Sequence, residues 1–452
     1  MSQQYAHQRL SPPGVSAENE REAVRRLRRD VEGAVLVPFE AAYERERQAP
    51  YSDIDPRPVA VVMASGPADV RTALTTAREH DLPFAVQGTG HGTHAASDGG
   101  ILVKTTQLAG VLVDPVRQVA RVGAGAVWEQ VIAAAAPLGL APLAGSHQTV
   151  GVAGYTLGGG LGWLSRRYGF AADSVLRAEV VTADGRLLTA SADSHPDLFW
   201  AMRGGGGNFG VVTSLEFRLH PVARVFAGAA FFPGDRAADL LARYRDWIDG
   251  APDALSTAIL LTRLPHDRRV PAALRGRPGA VVQVMYDGPG EEAGRLLAPL
   301  FEAAGPPLLE TFRTGAFGEM DMGGTGPAHV NLLDSLPDEV IEVLVSAATR
   351  PGSPVSGVEI RHWGGALGRP GPHAGPIGHR STRLSAILDA RLPEVEAVMR
   401  PHTGGRAFLN FLHDPGNAVA AYDPADHRRL REVKRAYDPD NVFRLNYNIP
   451  PA

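Results

Sequence analysis

Two histidines of this 452-residue chain stand inside glycine clusters. His91 lies in Gln87-Gly88-Thr89-Gly90-His91-Gly92, and His147 in the run from Ala144 to Gly162. Imidazole changes charge near neutral pH, which makes it a general acid or base. Each histidine also has a plain reading as a hydrogen-bonded structural residue, and the surrounding glycines weigh against it. The second run places six glycines in its last twelve residues, interleaved with Val, Leu and Tyr. A flexible linker does not carry such apolar residues. Backbone of this kind passes close to something flat or anionic, or adopts positive φ. A bound cofactor is the natural candidate.

The first cluster follows the apolar run Phe84-Ala-Val-Gln, so its amides could converge on a pyrophosphate. Its plain alternative is a tight turn. Gly158-Gly159-Gly160-Leu161-Gly162 has the wrong spacing and context for a dinucleotide fingerprint, which excludes an NAD-binding Rossmann unit. Arg203-Gly-Gly-Gly-Gly-Asn-Phe-Gly210 is a third cluster, placed before a β-rich run. Four consecutive glycines cost chain entropy, and a ligand-contacting loop explains them better than a spacer. Among 15 histidines no zinc-type spacing occurs, so no metal is expected.

The elements that must hold these clusters alternate. A helix capped by Ser16 runs to Val31. Val59–Met63 is a strand, Pro67–Glu79 a helix and Phe84–Gln87 a second strand. Short strands follow at 101–103, 111–113 and 119–122, then a helix over 126–136. Asp184-Gly185 between 175–182 and 187–190 signals a hairpin. Another strand begins at Val211. From about residue 223, helical segments such as 236–248 alternate with strands such as 280–286 and 356–363, separated by Gly- and Pro-rich loops at 321–327 and 364–379. A last helix, 428–437, ends at Asp438-Pro439.

Composition narrows the partners. Hydrophobic content of 44%, charged content of 21% and net charge −4 fit a globular protein with neither nucleic acid nor an anionic membrane as partner. The length suggests two domains. With no cysteine there is no disulfide, thiolate metal site or thiol nucleophile. The first twenty residues are polar and no long apolar run exists, so the expectation is a cytoplasmic protein without leader or membrane span.

The three glycine clusters, in this order, resemble the FAD-binding domain of the berberine-bridge-enzyme-like flavoproteins, of the vanillyl-alcohol-oxidase superfamily with its PCMH-type FAD domain. Tyr168-Gly-Phe-Ala-Ala-Asp173 and the tail Tyr437-Asp-Pro-Asp-Asn-Val-Phe443 are similar to further signatures of that family. The resemblance implies an α+β fold. Residues 1–50 would form an N-terminal helical segment and 51–222 the PCMH-type FAD-binding domain. Residues 223–405 would form an α+β substrate-binding domain with an antiparallel sheet, and 406–452 a segment returning to the FAD domain. The positions matched to FAD are Gln87, Gly88, Thr89, Gly90, His91 and Gly92, at the pyrophosphate loop. They continue through His147, Thr149, Val150, Gly151, Gly154, Tyr155, Gly158, Gly159, Gly160 and Gly162. Gly207, Asn208, Gly210 and Val211 follow, and then Asn446, Tyr447 and Asn448. Val150 matches a residue governing oxygen access, and Tyr155 one beside the pyrimidine side of the flavin.

The departures from the family pattern carry information. His91 matches the histidine that attaches to the flavin 8α-methyl, but Gln87 and Thr89 replace the arginine and glycine usual around it. His147 stands where doubly attached members have cysteine, so a cysteinyl link is impossible here. Phe408 occupies the place of the base tyrosine, two residues before Asn410. A base must then come from Tyr447, a neutral His147, or Glu359 and His362 on a substrate-domain strand. The implied activity is oxidation of a small alcohol, amine or polyketide-type intermediate, a secondary metabolite being one such substrate. Hydride passes to flavin N5, and molecular oxygen serves as acceptor. The alternative is a non-redox cyclisation, such as a [4+2] cycloaddition, with FAD as a structural wall.

Overall fold

Three sheets carry the chain in the computed structural model, which describes residues 16–49, 54–264, 266–268, 270, 272, 275–320 and 322–452. The expectation of no leader, the start of the N-terminal segment and the junction at 50–53 fall at least partly outside these residues.

The first sheet is small and mostly parallel. Helix α1 (Ala17–Asp30) starts where the Ser16 side chain accepts the Asn19 amide, and it buries Ala23 and Leu27. Strand β1 (Ala34–Leu36), helix α2 (Ala41–Glu46), strand β2 (Ala60–Met63), helix α3 (Pro67–Glu79), and strands β3 (Phe84–Gln87) and β4 (Ile101–Lys104) follow. Their order is β1-β2-β4-β3, with β2 and β3 parallel to β4. Val70, Leu74 and Ala77 of α3 recur at helical spacing and pack on this sheet with Ile101 and Val103.

The second sheet is antiparallel. Its chain order is β5 (Val111–Asp114), β6 (Val119–Gly123), α4 (Trp128–Ala135), α5 (Val152–Leu157), α6 (Ser165–Tyr168), β7 (Val175–Val181), β8 (Leu187–Ser191), α7 (Pro196–Met202) and β9 (Val211–Arg218). The strands lie in the order β5-β6-β9-β7-β8. Asp184-Gly185 turns β7 into β8, with Gly185 at φ +80°.

The third sheet has eight antiparallel strands. The chain runs through β10 (Val225–Pro233), α8 (Ala237–Trp247), β11 (Leu255–Arg263), β12 (Pro278–Tyr286), α9 (Gly290–Ala304), β13 (Leu309–Glu310), β14 (Arg313–Gly315) and β15 (His329–Leu333). It continues through α10 (Asp338–Thr349), β16 (Gly357–His362), β17 (Leu384–Leu388) and α11 (Pro393–Thr403), and α12 (Pro424–Tyr437) follows. The main order is β13-β10-β12-β11-β16-β17-β15. Strand periodicity splits its side chains between two faces. Ile259, Val282, Ile360 and Ala386 pack with Leu240, Leu297, Leu344 and Met399 of the helices. Ala227, Ala258 and Met285 face the other way and join the core around Trp128.

Buried charge ties the parts together. Arg166 donates to the Leu255 and Trp363 carbonyls, and Asp173 receives both Nη atoms of Arg380 at 2.8 and 2.9 Å. At the end of α12, Lys434 and the following cap residue Asp438 form a fully buried ion pair at 2.6 Å. Lys434 also donates to the carbonyls of Asn208 and Phe443, which returns the tail to the third glycine cluster. Among the described residues, no helix is long and apolar enough to cross a membrane, and no group of three His, Asp or Glu side chains could hold a metal.

Candidate active site

Strands β3 and β4 end together, with Gln87 opposite Lys104, and the loop Gly88–Gly92 leaves from their carboxyl ends. That is where open α/β sheets receive ligands. Lys104 Nζ donates to Gln87 Oε1 at 2.5 Å, and Gln87 Nε2 donates to Thr93 Oγ1 at 3.0 Å. This chain fixes both ends of the loop. Thr89 Oγ1 and His91 Nδ1 are 2.9 Å apart. Gly90 has φ +85°, and a side chain on Gly92 would meet nothing within 4 Å.

The second cluster meets the first, because a Cβ on Gly151 would lie 3.3 Å from Thr89 Oγ1. The amides of Trp128 and Glu129, at the start of α4, bond to the carbonyls of Val150 and Gln148. His147 and Thr149 are thereby left exposed on a turn, with Val150 half-buried. Gly151 then opens α5, on which Gly154 is exposed with open space before it.

Glycines 158, 159, 160 and 162 were expected at the cofactor, but protein fills the space beside them. A Cβ at Gly159 would lie 2.9 Å from the Phe408 ring, one at Gly160 2.5 Å from the Tyr155 ring, and one at Gly162 would overlap the Ala144 carbonyl. Asn410 crowds Gly158 and clamps the turn, accepting the Gly160 amide at 2.8 Å and donating to the Tyr155 carbonyl at 3.1 Å. Tyr155 passes between Gly145 and Gly160 and packs edge-on against Trp128. Its hydroxyl is buried without a partner, and burial raises its pKa. The hydroxyl lies behind the glycine turn, beside Gly145 and Gly162.

In the third cluster Gly210, at φ +152°, packs on Val180 and Val181, and Val211 is buried as the first residue of β9. Asn208 is fully buried and staples the tail, donating to the Tyr447 carbonyl at 3.0 Å and accepting the Ile449 amide at 2.9 Å. Gly207 is exposed beside Asn446, whose Nδ2 donates to the Gly207 carbonyl. Asn446 Oδ1 and Asn448 Oδ1 are buried without partners.

The four expected bases separate sharply. Tyr447 donates its hydroxyl proton to the Leu412 carbonyl, and burial raises its pKa. Glu359 and Arg361 project from one face of β16 and form a 2.6 Å ion pair, and Glu359 also accepts the Thr325 amide. His362, one residue on, is on the opposite face with Tyr244 of the helix layer. It accepts from Arg166 Nη1 at 2.8 Å, and burial, then Arg166, hold its pKa far below the usual value. This alternation puts His362, expected beside Glu359, on the other face of β16. His147 alone of the four is exposed. It reaches the first cluster electrostatically, since the His91 pKa is lowered by burial and then by His147. Phe408 stacks on Phe170 at 5.5 Å within an apolar cluster.

Residues 58–191 match the family described as FAD binding domain, and residues 407–450 the family described as berberine and berberine like. The chain is an FAD-linked oxidoreductase, similar in these two segments to the FAD-binding and berberine-like families. It is 29% identical to (R)-6-hydroxynicotine oxidase of Paenarthrobacter nicotinovorans, covering 93% of this chain and 97% of that one. It is 28% identical to the FAD-linked oxidoreductase YgaK of Bacillus subtilis, over the same shares. The crystal structure of 6-hydroxy-D-nicotine oxidase from Arthrobacter nicotinovorans matches with a TM-score of 0.79 at 25% identity, over 93% of this chain and 98% of that chain. Berberine bridge enzyme from Eschscholzia californica shares the fold, with a TM-score of 0.81 at 20% identity, over 95% and 99%.

The residues of the oxidoreductase suit its cofactor FAD. The orphaned acceptors Asn446 Oδ1 and Asn448 Oδ1 call for donors of the kind that a flavin imide and ribityl hydroxyls carry. Gly92 and Gly154 leave space that a Cβ would occupy. Two features escaped the sequence reading. Lys104 supports the first loop, and Arg361 shares its sheet face with Glu359.

Proposed function

We propose that this FAD-linked oxidoreductase oxidises a small organic substrate held between the His147 turn and the face of the third sheet that carries Arg361. The observation that carries this reading is the contact of that face with the residue preceding His147: Arg361 Nη2 donates to Ser146 Oγ at 3.3 Å. The glycines of loop 88–92, with Gly151, Gly154, Gly207, Asn446 and Asn448, would hold the cofactor, with His91 as its attachment point. Chain division near residues 222 and 405 accompanies the proposal, because the third sheet starts at Val225 and the matched C-terminal family at 407. Bound FAD supplies a two-electron acceptor for hydride from a substrate C–H bond, with molecular oxygen as the terminal acceptor.

Loss of hydride from an alcohol or amine also releases a proton. His147 takes it in this reading, since the Tyr447 proton is committed to Leu412, Glu359 to Arg361 and the His362 lone pair to Arg166. The test is anaerobic mixing of the holoenzyme with candidate substrates. Bleaching of the oxidised flavin band and, in air, hydrogen peroxide are expected. His147→Gln should slow flavin reduction about 10²- to 10⁴-fold without loss of bound FAD.

A second reading, non-redox cyclisation, draws on Phe408, which sits in an apolar cluster and offers no proton acceptor. Product forming at full rate with 5-deaza-FAD in place of FAD would favour it and overturn the oxidase reading.

A further inference from the structure

Arg361 is 8% exposed on a central strand of the third sheet. Its cross-strand neighbours on the same face are small, Ala258 on β11 and Ser385 on β17. One oxygen of Glu359 accepts a hydrogen bond from Arg361 Nε and the other accepts the Thr325 amide, so the carboxylate has both oxygens occupied behind the guanidinium. Arg361 Nη2 donates to Ser146 Oγ, which also accepts from Trp163 Nε1 at 3.2 Å, and the guanidinium carbon lies 5.0 Å from the centre of the Trp163 ring. Nη1 has no hydrogen-bond partner among the described residues. A guanidinium held from behind by a carboxylate, oriented by a serine and flanked by an indole is pre-organised, with a donor left over.

We propose that Arg361 is a specificity-determining residue that binds an anionic oxygen of the substrate, as in a carboxylate, phenolate or acidic enolate. The inference rests on the reading of this space as the substrate site. The leftover Nη1 donor makes a charge-assisted bond to that oxygen. A cationic amine meets the same guanidinium as a like charge and is disfavoured.

The experiment uses benzoate, benzamide and benzylamine as probes, titrated into the holoenzyme. Binding is followed by flavin absorbance and, independently, by calorimetry. Benzoate is expected to bind more tightly than benzamide, and benzylamine least tightly. Arg361→Met strands the buried Glu359 carboxylate and could unfold the protein, so Glu359→Gln/Arg361→Met is the companion variant. Benzoate binding should weaken about tenfold or more in the double variant and partly recover in Arg361→Lys. Unchanged benzoate affinity in the double variant, absence of benzoate binding to the wild type, or tighter binding of benzylamine than benzoate would overturn the proposal. Purified protein lacking FAD would instead count against the oxidase reading, and the calorimetric arm would still decide the role of Arg361.

Discussion

The two ends of the glycine run face different things. Gly154, like Gly92 in the first cluster, has nothing within 4 Å of where a side chain would begin. Gly158, Gly159, Gly160 and Gly162 are buried against Asn410, Phe408, Tyr155 and the Ala144 backbone. One stretch of sequence therefore does two jobs. Part leaves room for a ligand, and part lets protein close on protein so that the first part is held still. Glycine announces close approach without saying what approaches.

The sharpest way to break this comparison is Gly162→Ala. The new methyl group would overlap the Ala144 carbonyl oxygen, and backbone cannot swing aside as a flexible side chain can. A loss of about 3 kcal/mol is expected in apoprotein and holoprotein alike, read from chemical denaturation. Equal stability with weakened FAD binding would place Gly162 with the open glycines instead.

Acid should act on the packed side too. His220 bridges to Ala141, just before the run, and its ring lies 4.1 Å from that of Tyr168. Burial, then Arg218, lowers its pKa to about 4. A histidine depressed in the fold binds fewer protons than when unfolded. Its contribution is therefore intact above the ordinary value near 6.5 and is lost as pH falls toward 4. That amounts to about 2 kcal/mol at pH 5, and His220→Gln should flatten the pH dependence of the melting curve by this share.

The smallest effect is the most discriminating. Gly154→Ala adds a methyl group to open space on α5, so the apoprotein should gain up to about 1 kcal/mol from helix propensity. FAD affinity should fall about tenfold, measured by flavin fluorescence. A gain in stability with unchanged affinity would remove Gly154 from the cofactor face.

Much of the fold was legible where pattern and punctuation agreed. Pro67–Glu79 has proline at its start and apolar residues at helical spacing, and the helix has those bounds. The Asp184-Gly185 turn pairs its flanking strands. Helix α5 was not legible, because Gly154 and β-branched Val152 and Thr156 argue against a helix that burial of Val152, Ala153 and Thr156 nevertheless enforces. At the site, residue type alone selected Glu359 and His362 together. Strand periodicity separates them and pairs Glu359 with Arg361, a signal present in Glu-x-Arg-His but not used. The i,i+4 spacing of Lys434 and Asp438 was equally visible, yet spacing does not reveal that both are wholly buried.

The two lysines have a practical consequence. Lys104 and Lys434 are the chain's only lysines, and both are buried, one under the loop with His91 and one under the tail with Asn446. The native molecule therefore presents no side-chain amine to its surroundings. Reagents that label or cross-link amines, and enzymes that acylate lysine, would find these two side chains only after the loop or the tail has come away. Side-chain amine reactivity thus becomes a built-in gauge of whether the cofactor end of the molecule is assembled.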